Sequence, residues 1–233
     1  MKRNRPLPHR ERGMSLVSLL VGAAIGLVVA IAVLQLFKTV TQITRVAKKD
    51  TAQDSHLSSA LLTSGLMLQS AGFGIEDPTY TRDLLLLTQA QWHNQELTGT
   101  AYVLNGGSLP PPDSGYALIW RSNPSIFNTH SFCEALFAPA SAQDDRPVGL
   151  YHLQTAASDS SCASQIQSAQ WVQAHALATG QAFAIEVSRQ PCTPLGHTRS
   201  GLAPNKHLLV RISANSSAGI VVSENYCLSN FEP

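Results

Sequence analysis

From Met14 to Phe37 the chain runs for 24 residues without a charged side chain, directly behind a short basic stretch that ends at Gly13. At 1.5 Å rise per residue a helix of that length covers roughly 36 Å, more than the ~30 Å hydrocarbon core of a bilayer. The span therefore predicts one membrane-crossing helix. Three kinds of membrane segment share this pattern. A cleaved secretory signal would use Ala30-Ile31-Ala32 as its small-residue cleavage site. A signal anchor would keep Lys2, Arg3, Arg5, Arg10 and Arg12 on the cytoplasmic side by the positive-inside rule. Both leave Gly13 without a role.

The third kind is cut before the apolar span. Here a basic leader, a Gly at its last position and a bulky apolar residue opening the helix make the chain resemble a type IV pilin precursor with a class III signal. In that family a membrane-embedded prepilin peptidase cuts after the Gly and methylates the new amine. The resemblance thus implies cleavage between Gly13 and Met14 and N-methylation of Met14. A small Gly lets the backbone enter a protease site at the membrane surface, and the freed helix keeps its whole apolar length. A second likeness lies at Ala60 to Gly74, ALLTSGLMLQSAGFG. PilW-like minor pilins and the J-type pseudopilins of type II secretion close their long N-terminal helix with a stretch similar to "L..L..AG(Y/F)", matched here by Leu66, Leu68, Ala71, Gly72 and Phe73. The two signals lie within the first third of the chain.

One position departs from the family. Most type IV pilins carry Glu as the fifth mature residue, and that position here is Ser18. A carboxylate in hydrocarbon is costly unless paired, and in the family it meets the N-terminal amine of a neighbouring subunit. Ser18 cannot supply the charge. In related systems the subunit lacking this Glu sits at the filament tip, which the resemblance implies for this chain. The simpler alternative is a divergent pilin whose Ser18 hydroxyl bonds a backbone carbonyl of its own helix.

Composition fits an exported chain with a membrane anchor and one globular domain, since only 13% of the 233 residues are charged and Gly plus Pro fill 28 positions. The formal charge of +1 is a property of the leader, which holds five of the sixteen basic residues and one of the fifteen acidic ones. Without it eleven basic and fourteen acidic residues remain, a net charge of −3. That chain has no basic footprint for grasping nucleic acid. Cys133, Cys162, Cys192 and Cys227 all follow the membrane span, with neither CxxC spacing nor a His at zinc-finger distance. An even number in a translocated domain predicts two disulfides, against the alternative of buried thiols. Three connectivities are open; pairing Cys133 with Cys162 and Cys192 with Cys227 closes the shortest loops, each worth about 3 to 4 kcal/mol by loop-closure entropy.

Lys38 to Leu68 has no Pro and a single Gly, Gly65, with Ile43, Val46, Ala47, Leu57, Leu61 and Leu68 on a recurring stripe. One helix from Met14 to Ser70 is predicted, its second half packing that stripe on a globular domain and ending at Gly72, Gly74 and Asp77-Pro78. Gly22 and Gly26, spaced GxxxG, would permit close helix packing, a weak motif on its own. Short apolar runs then predict strands at Leu84–Thr88, Ala101–Leu104, Ala117–Arg121, Leu150–Leu153, Ala182–Val187, His207–Ile212 and Gly219–Ser223. Asn105 to Gly107, Pro110 to Gly115 and Ser158 to Ser164 read as turns or exposed loops, and Gln165 to Leu177 as a short helix or loop. The expected fold is α+β, a long N-terminal helix on an antiparallel sheet, as the pilin resemblance also implies. Its expected divisions are a leader at 1–13, a transmembrane and filament-core helix at 14–37, an exposed continuation at 38–72 and a β-rich domain at 73–233.

No GxSxG, HExxH, phosphate-binding loop or dinucleotide fingerprint occurs, and the eight histidines lack ligand-like spacing. No cofactor or metal is expected. His207 reads as a strand-end residue, Trp92, Trp120 and Trp171 as core or half-buried anchors, and the Asn215-Ser216-Ser217 sequon as chance in a Ser-rich loop. The resemblance implies a non-enzymatic minor pilin that primes type IV pilus assembly. Its implied partners are other minor pilins, the major pilin, prepilin peptidase, inner-membrane assembly proteins and a large tip adhesin. Its implied location is the bacterial inner membrane, single-pass with a periplasmic C-terminal domain, and then the pilus. Two alternatives stay open: a type II secretion pseudopilin of the same fold, and a secreted or signal-anchored binding protein or enzyme.

Overall fold

The computed structural model describes residues 15–104, 115–123, 132–143, 146–155, 171–192 and 207–231. The chain divides into two compact units, Met1–Lys49 and Asp50–Pro233. One α-helix, α1, spans Leu16–Leu68. In the first unit none of its residues is buried. The hydroxyls of Thr39, Thr41 and Thr44 donate to the carbonyls of Gln35, Phe37 and Val40 at 3.0, 2.7 and 2.8 Å, so these polar groups are satisfied within the helix.

In the second unit α1 buries Leu57, Ala60, Leu61, Ser64, Gly65 and Leu68, which recur at steps of three and four and form one face. The predicted stripe is therefore correct at Leu57, Leu61 and Leu68. Ile43 and Val46 are instead 63% and 55% exposed. The compact domain begins at Asp50, so helix and sheet belong to one unit where the sequence suggested a division after 72.

The helix ends as its glycines predict. Gly72 and Gly74 have φ of 74° and 68°, a region that β-carbon-bearing residues avoid. The Gly72 N–H donates to the Arg121 carbonyl and the Asn123 N–H to the Phe73 carbonyl, both at 2.8 Å, which turns the chain against the sheet. The Asn230 amide donates to the carbonyls of Gln69 and Ala71 at 3.3 and 2.8 Å, satisfying acceptors that a helix end leaves open.

Nine strands follow: β1 Leu84–His93, β2 Glu96–Ala101, β3 Tyr116–Ser122, β4 Phe132–Ala138, β5 Gly149–Thr155, β6 Trp171–Thr179, β7 Phe183–Arg189, β8 Leu208–Asn215 and β9 Val221–Leu228. They form a six-stranded sheet, order β2-β1-β3-β4-β5-β6, and a three-stranded sheet, order β7-β8-β9. Every neighbouring pair is antiparallel. The architecture is α+β, as expected. Strand β4 has no counterpart in the predicted set. β2 lies before the expected Ala101–Leu104, and β6 occupies much of the stretch read as a helix or loop.

The central strands of the larger sheet are buried on both faces, while much of the edge strand β2 is exposed. Leu84 and Leu86 enter a core shared with α1 and the three-stranded sheet. Leu85 and Leu87 enter a second core with Trp92, Leu97, Phe137 and Trp171. Four consecutive leucines in one strand follow from this double burial. At one corner the Trp171 N–H, opening β6, donates to the Gln95 carbonyl in the β1–β2 turn at 3.0 Å, bringing the two ends of the sheet together around the second core. The β4–β5 connection also reaches β1, where Gln143 accepts from the Trp92 N–H at 3.1 Å and the Arg146 guanidinium lies 3.7 Å above the indole centroid.

A disulfide joins Cys192 to Cys227, one of the two pairs that close the shortest loops. Cys133 is disulfide-bonded too, and Cys162 lies outside the described residues. So do the predicted turns at 105–107 and 158–164.

Candidate functional site

The first candidate is the apolar end of α1. Its large side chains between Leu16 and Phe37 are between 47% and 76% exposed. The helix is long and apolar enough to cross a membrane. In water such a surface is unfavourable, at about 25 cal/mol for each Å² of apolar area left uncovered. Ser18 is exposed in the first turn, its N–H donating to the Ser15 carbonyl at 2.9 Å. Gly22 and Gly26 both face open space, with nothing within 4 Å of where a Cβ would stand. Gly13 and Met14, the residues of the expected cleavage and methylation, lie outside the described residues. Past the span, Lys38, Arg45, Lys48 and Lys49 precede the first acidic residue, Asp50.

The second candidate is a polar cluster where the end of α1 meets the larger sheet. Alternation along β4 turns Glu134 toward the helix side, with Cys133 and Ala135 in the other core. Trp120 stands directly opposite it on β3 and Gln154 on β5. Glu134 Oε2 accepts from Trp120 Nε1 at 3.1 Å, Ser122 Oγ at 3.1 Å and Ser70 Oγ at 3.2 Å. Its Oε1 lies 3.2 Å from His152 Nε2. The His152 ring stacks on Trp120 with centroids 6.3 Å apart and planes 24° apart. Burial pushes the Glu134 carboxyl up, but the hydrogen bond and charge of His152, followed by the bonds from Ser122 and Trp120, outweigh it and hold the group below its ordinary value. Both serine hydroxyls contact Oε2, while the imidazole lies on the other carboxylate oxygen. The arrangement fastens β3, β4, β5 and the turn after α1 together.

Glu134 and His152 escaped the sequence reading, which found no ligand-like spacing among the histidines. The available signal was a lone Glu within the otherwise apolar run Phe132–Ala138. Elsewhere Trp92, Trp120 and Trp171 are buried as expected, and His207 is buried immediately before β8, but its Nδ1 has no hydrogen-bond partner among the described residues where a hydrogen-bonded strand-end histidine was expected. Among the described residues no group of three or more His, Cys, Asp or Glu side chains is placed to hold a metal ion.

These features define an α+β domain carried on a helix whose first part is apolar and uncovered. No protein family, curated protein or solved structure matches the chain.

Proposed function

We propose that this protein is a PilW-like minor pilin, a non-enzymatic subunit that primes type IV pilus assembly and sits at the pilus tip. The observation that carries the reading is one unbroken helix, Leu16–Leu68, uncovered and apolar at its start and buried in a β-rich domain at its end. An apolar helix without partners belongs in lipid or among other helices of its kind. On this reading prepilin peptidase cuts between Gly13 and Met14 and methylates Met14. The chain then spans the inner membrane once with its β-rich domain in the periplasm, before passing into the pilus. Its partners are other minor pilins, the major pilin, inner-membrane assembly proteins and a tip adhesin. The mechanism is mechanical: helices side by side in the bilayer offer a platform on which major pilin docks. Ser18 supports the tip position, because a tip subunit has no preceding amine to neutralise.

Mass spectrometry of the processed protein tests this directly, with N-methyl-Met14 as the expected N-terminus. A start at Val33 would identify a conventional signal peptide, and an intact leader a plain anchor. Gly13→Val should accumulate the uncut form. For the tip position, immunogold label should mark filament ends, and labelling along the shaft would count against it.

A further inference from the structure

The Glu134 cluster joins elements far apart in sequence through one carboxylate, and the pilin reading leaves it without a task. Ser70 lies in the turn that follows α1, Trp120 and Ser122 belong to β3, and His152 belongs to β5. All four contact a side chain that is only 15% exposed. Ser70 has a single hydroxyl proton and two acceptors, the Met67 carbonyl at 2.6 Å and Glu134 Oε2 at 3.2 Å. Trp120 Nε1 is likewise shared between Glu134 Oε2 and Ser70 Oγ, the latter at 3.3 Å. The cluster thus favours a full negative charge on Glu134, toward which shared protons can lean.

We propose that Glu134 is an acid-sensitive latch that tightens the turn following α1 on the six-stranded sheet while ionised and loosens that turn when protonated. The charged and titratable groups around it are few. Among the described residues, His152 faces it from β5, and β3 and the turn after α1 present Trp120, Ser122 and Ser70. The neighbouring ions Arg121 and Asp83 are engaged with each other at 3.9 Å. Protonation replaces an acceptor for all four partners with a group that must donate one hydrogen itself. The direction follows from linkage. The native carboxyl lies below its ordinary value of 4.5, so the latch is complete above 4.5 and is lost as pH falls through the native value. Release is local because the carboxylate's hydrogen-bond partners among the described residues lie on β3, on β5 and in the turn after α1.

Hydrogen exchange of the full-length chain in detergent micelles reads this out. Between about pH 7 and pH 3, amides of residues 67–73 should lose protection by about tenfold or more beyond the change in intrinsic rate, while those of β8 hold. Glu134→Gln should exchange quickly at both values, with no pH step. A wild-type step that survives in Glu134→Gln, or one spread evenly over every strand, overturns the latch. Should Glu134→Gln fail to fold, carboxyl NMR decides. Glu134 should titrate below 4.5 in the wild type and move upward in Ser122→Ala. A wild-type midpoint at or above 4.5 refutes the proposal.

Discussion

Gly65 and Tyr226 show how a single missing side chain positions a helix. The Tyr226 ring lies where a Cβ on Gly65 would stand, and its hydroxyl donates to the Leu61 carbonyl at 2.5 Å. In sequence Gly65 is only a tolerated weak point in a helix; its purpose depends on a residue 161 positions later. Gly65→Val should therefore cost about 2 kcal/mol through overpacking, although valine is the better helix former. Tyr226→Phe should cost about 1 kcal/mol for the lost hydrogen bond. Chemical denaturation measures both. Burial pushes the phenols of Tyr80 and Tyr226 up from 10.0 to about 12, and nearby Glu224 adds to the effect at Tyr226. Their preference for the protonated form contributes stability in full below pH 10 and loses it as pH rises toward 12. Alkaline titration by tyrosinate absorbance should find these two ionising late, and replacing both with Phe should flatten the loss of stability in that range.

At the scale of elements, legibility followed how far each signal depended on distant residues. The helix, its glycine stop and β1 were readable because a long apolar period and a leucine run carry their own evidence. Strand β4 was missed because Glu134 reads as solvent-facing, and only donors from three other elements make it an interior residue. In β6 the alternating alanines Ala174, Ala176 and Ala178 favour helix locally, and pairing along β5 overrides them. The start of β2 was hidden by its turn. Asn94 and Gln95 have φ of 50° and 67°, the conformation of a two-residue hairpin, yet no glycine announces it. The disulfide supplies the test at this scale. It links residues 35 apart and fastens the segment after β7 to β9. Replacing Cys192 and Cys227 by Ser should cost about 4 kcal/mol by loop-closure entropy, read from the denaturation midpoint.

For the whole molecule, the apolar span announced the membrane-competent segment, but the boundary of the folded domain was not visible. Charge resumes at Lys38, which suggests a division there, whereas the compact unit starts at Asp50. Leu57, Ala60, Leu61 and Leu68 lie in the same core as both sheets. A chain beginning at Asp50 should fold cooperatively without detergent. One beginning at Phe73 should not, because it discards one wall of that core. Thermal unfolding by circular dichroism separates the two outcomes, and a folded chain from Phe73 onward would show that the helix is dispensable. The polar cluster was the least legible part of the molecule, since apart from Trp120 and Ser122, two apart on β3, its residues share no recognisable spacing.

The bonds from Tyr226 and Asn230 to the helix cross 159 to 165 positions of sequence. A ribosome adding roughly 5 to 20 residues each second needs about 8 to 30 seconds to cover that interval. Throughout it the buried face of α1, Leu57 to Leu68, has emerged while the strand that seats against Gly65 does not yet exist. Until then the helix face has only the strands made earlier, such as β1 with Leu84 and Leu86, to cover it, so the order of synthesis itself sets a period in which this core is incomplete.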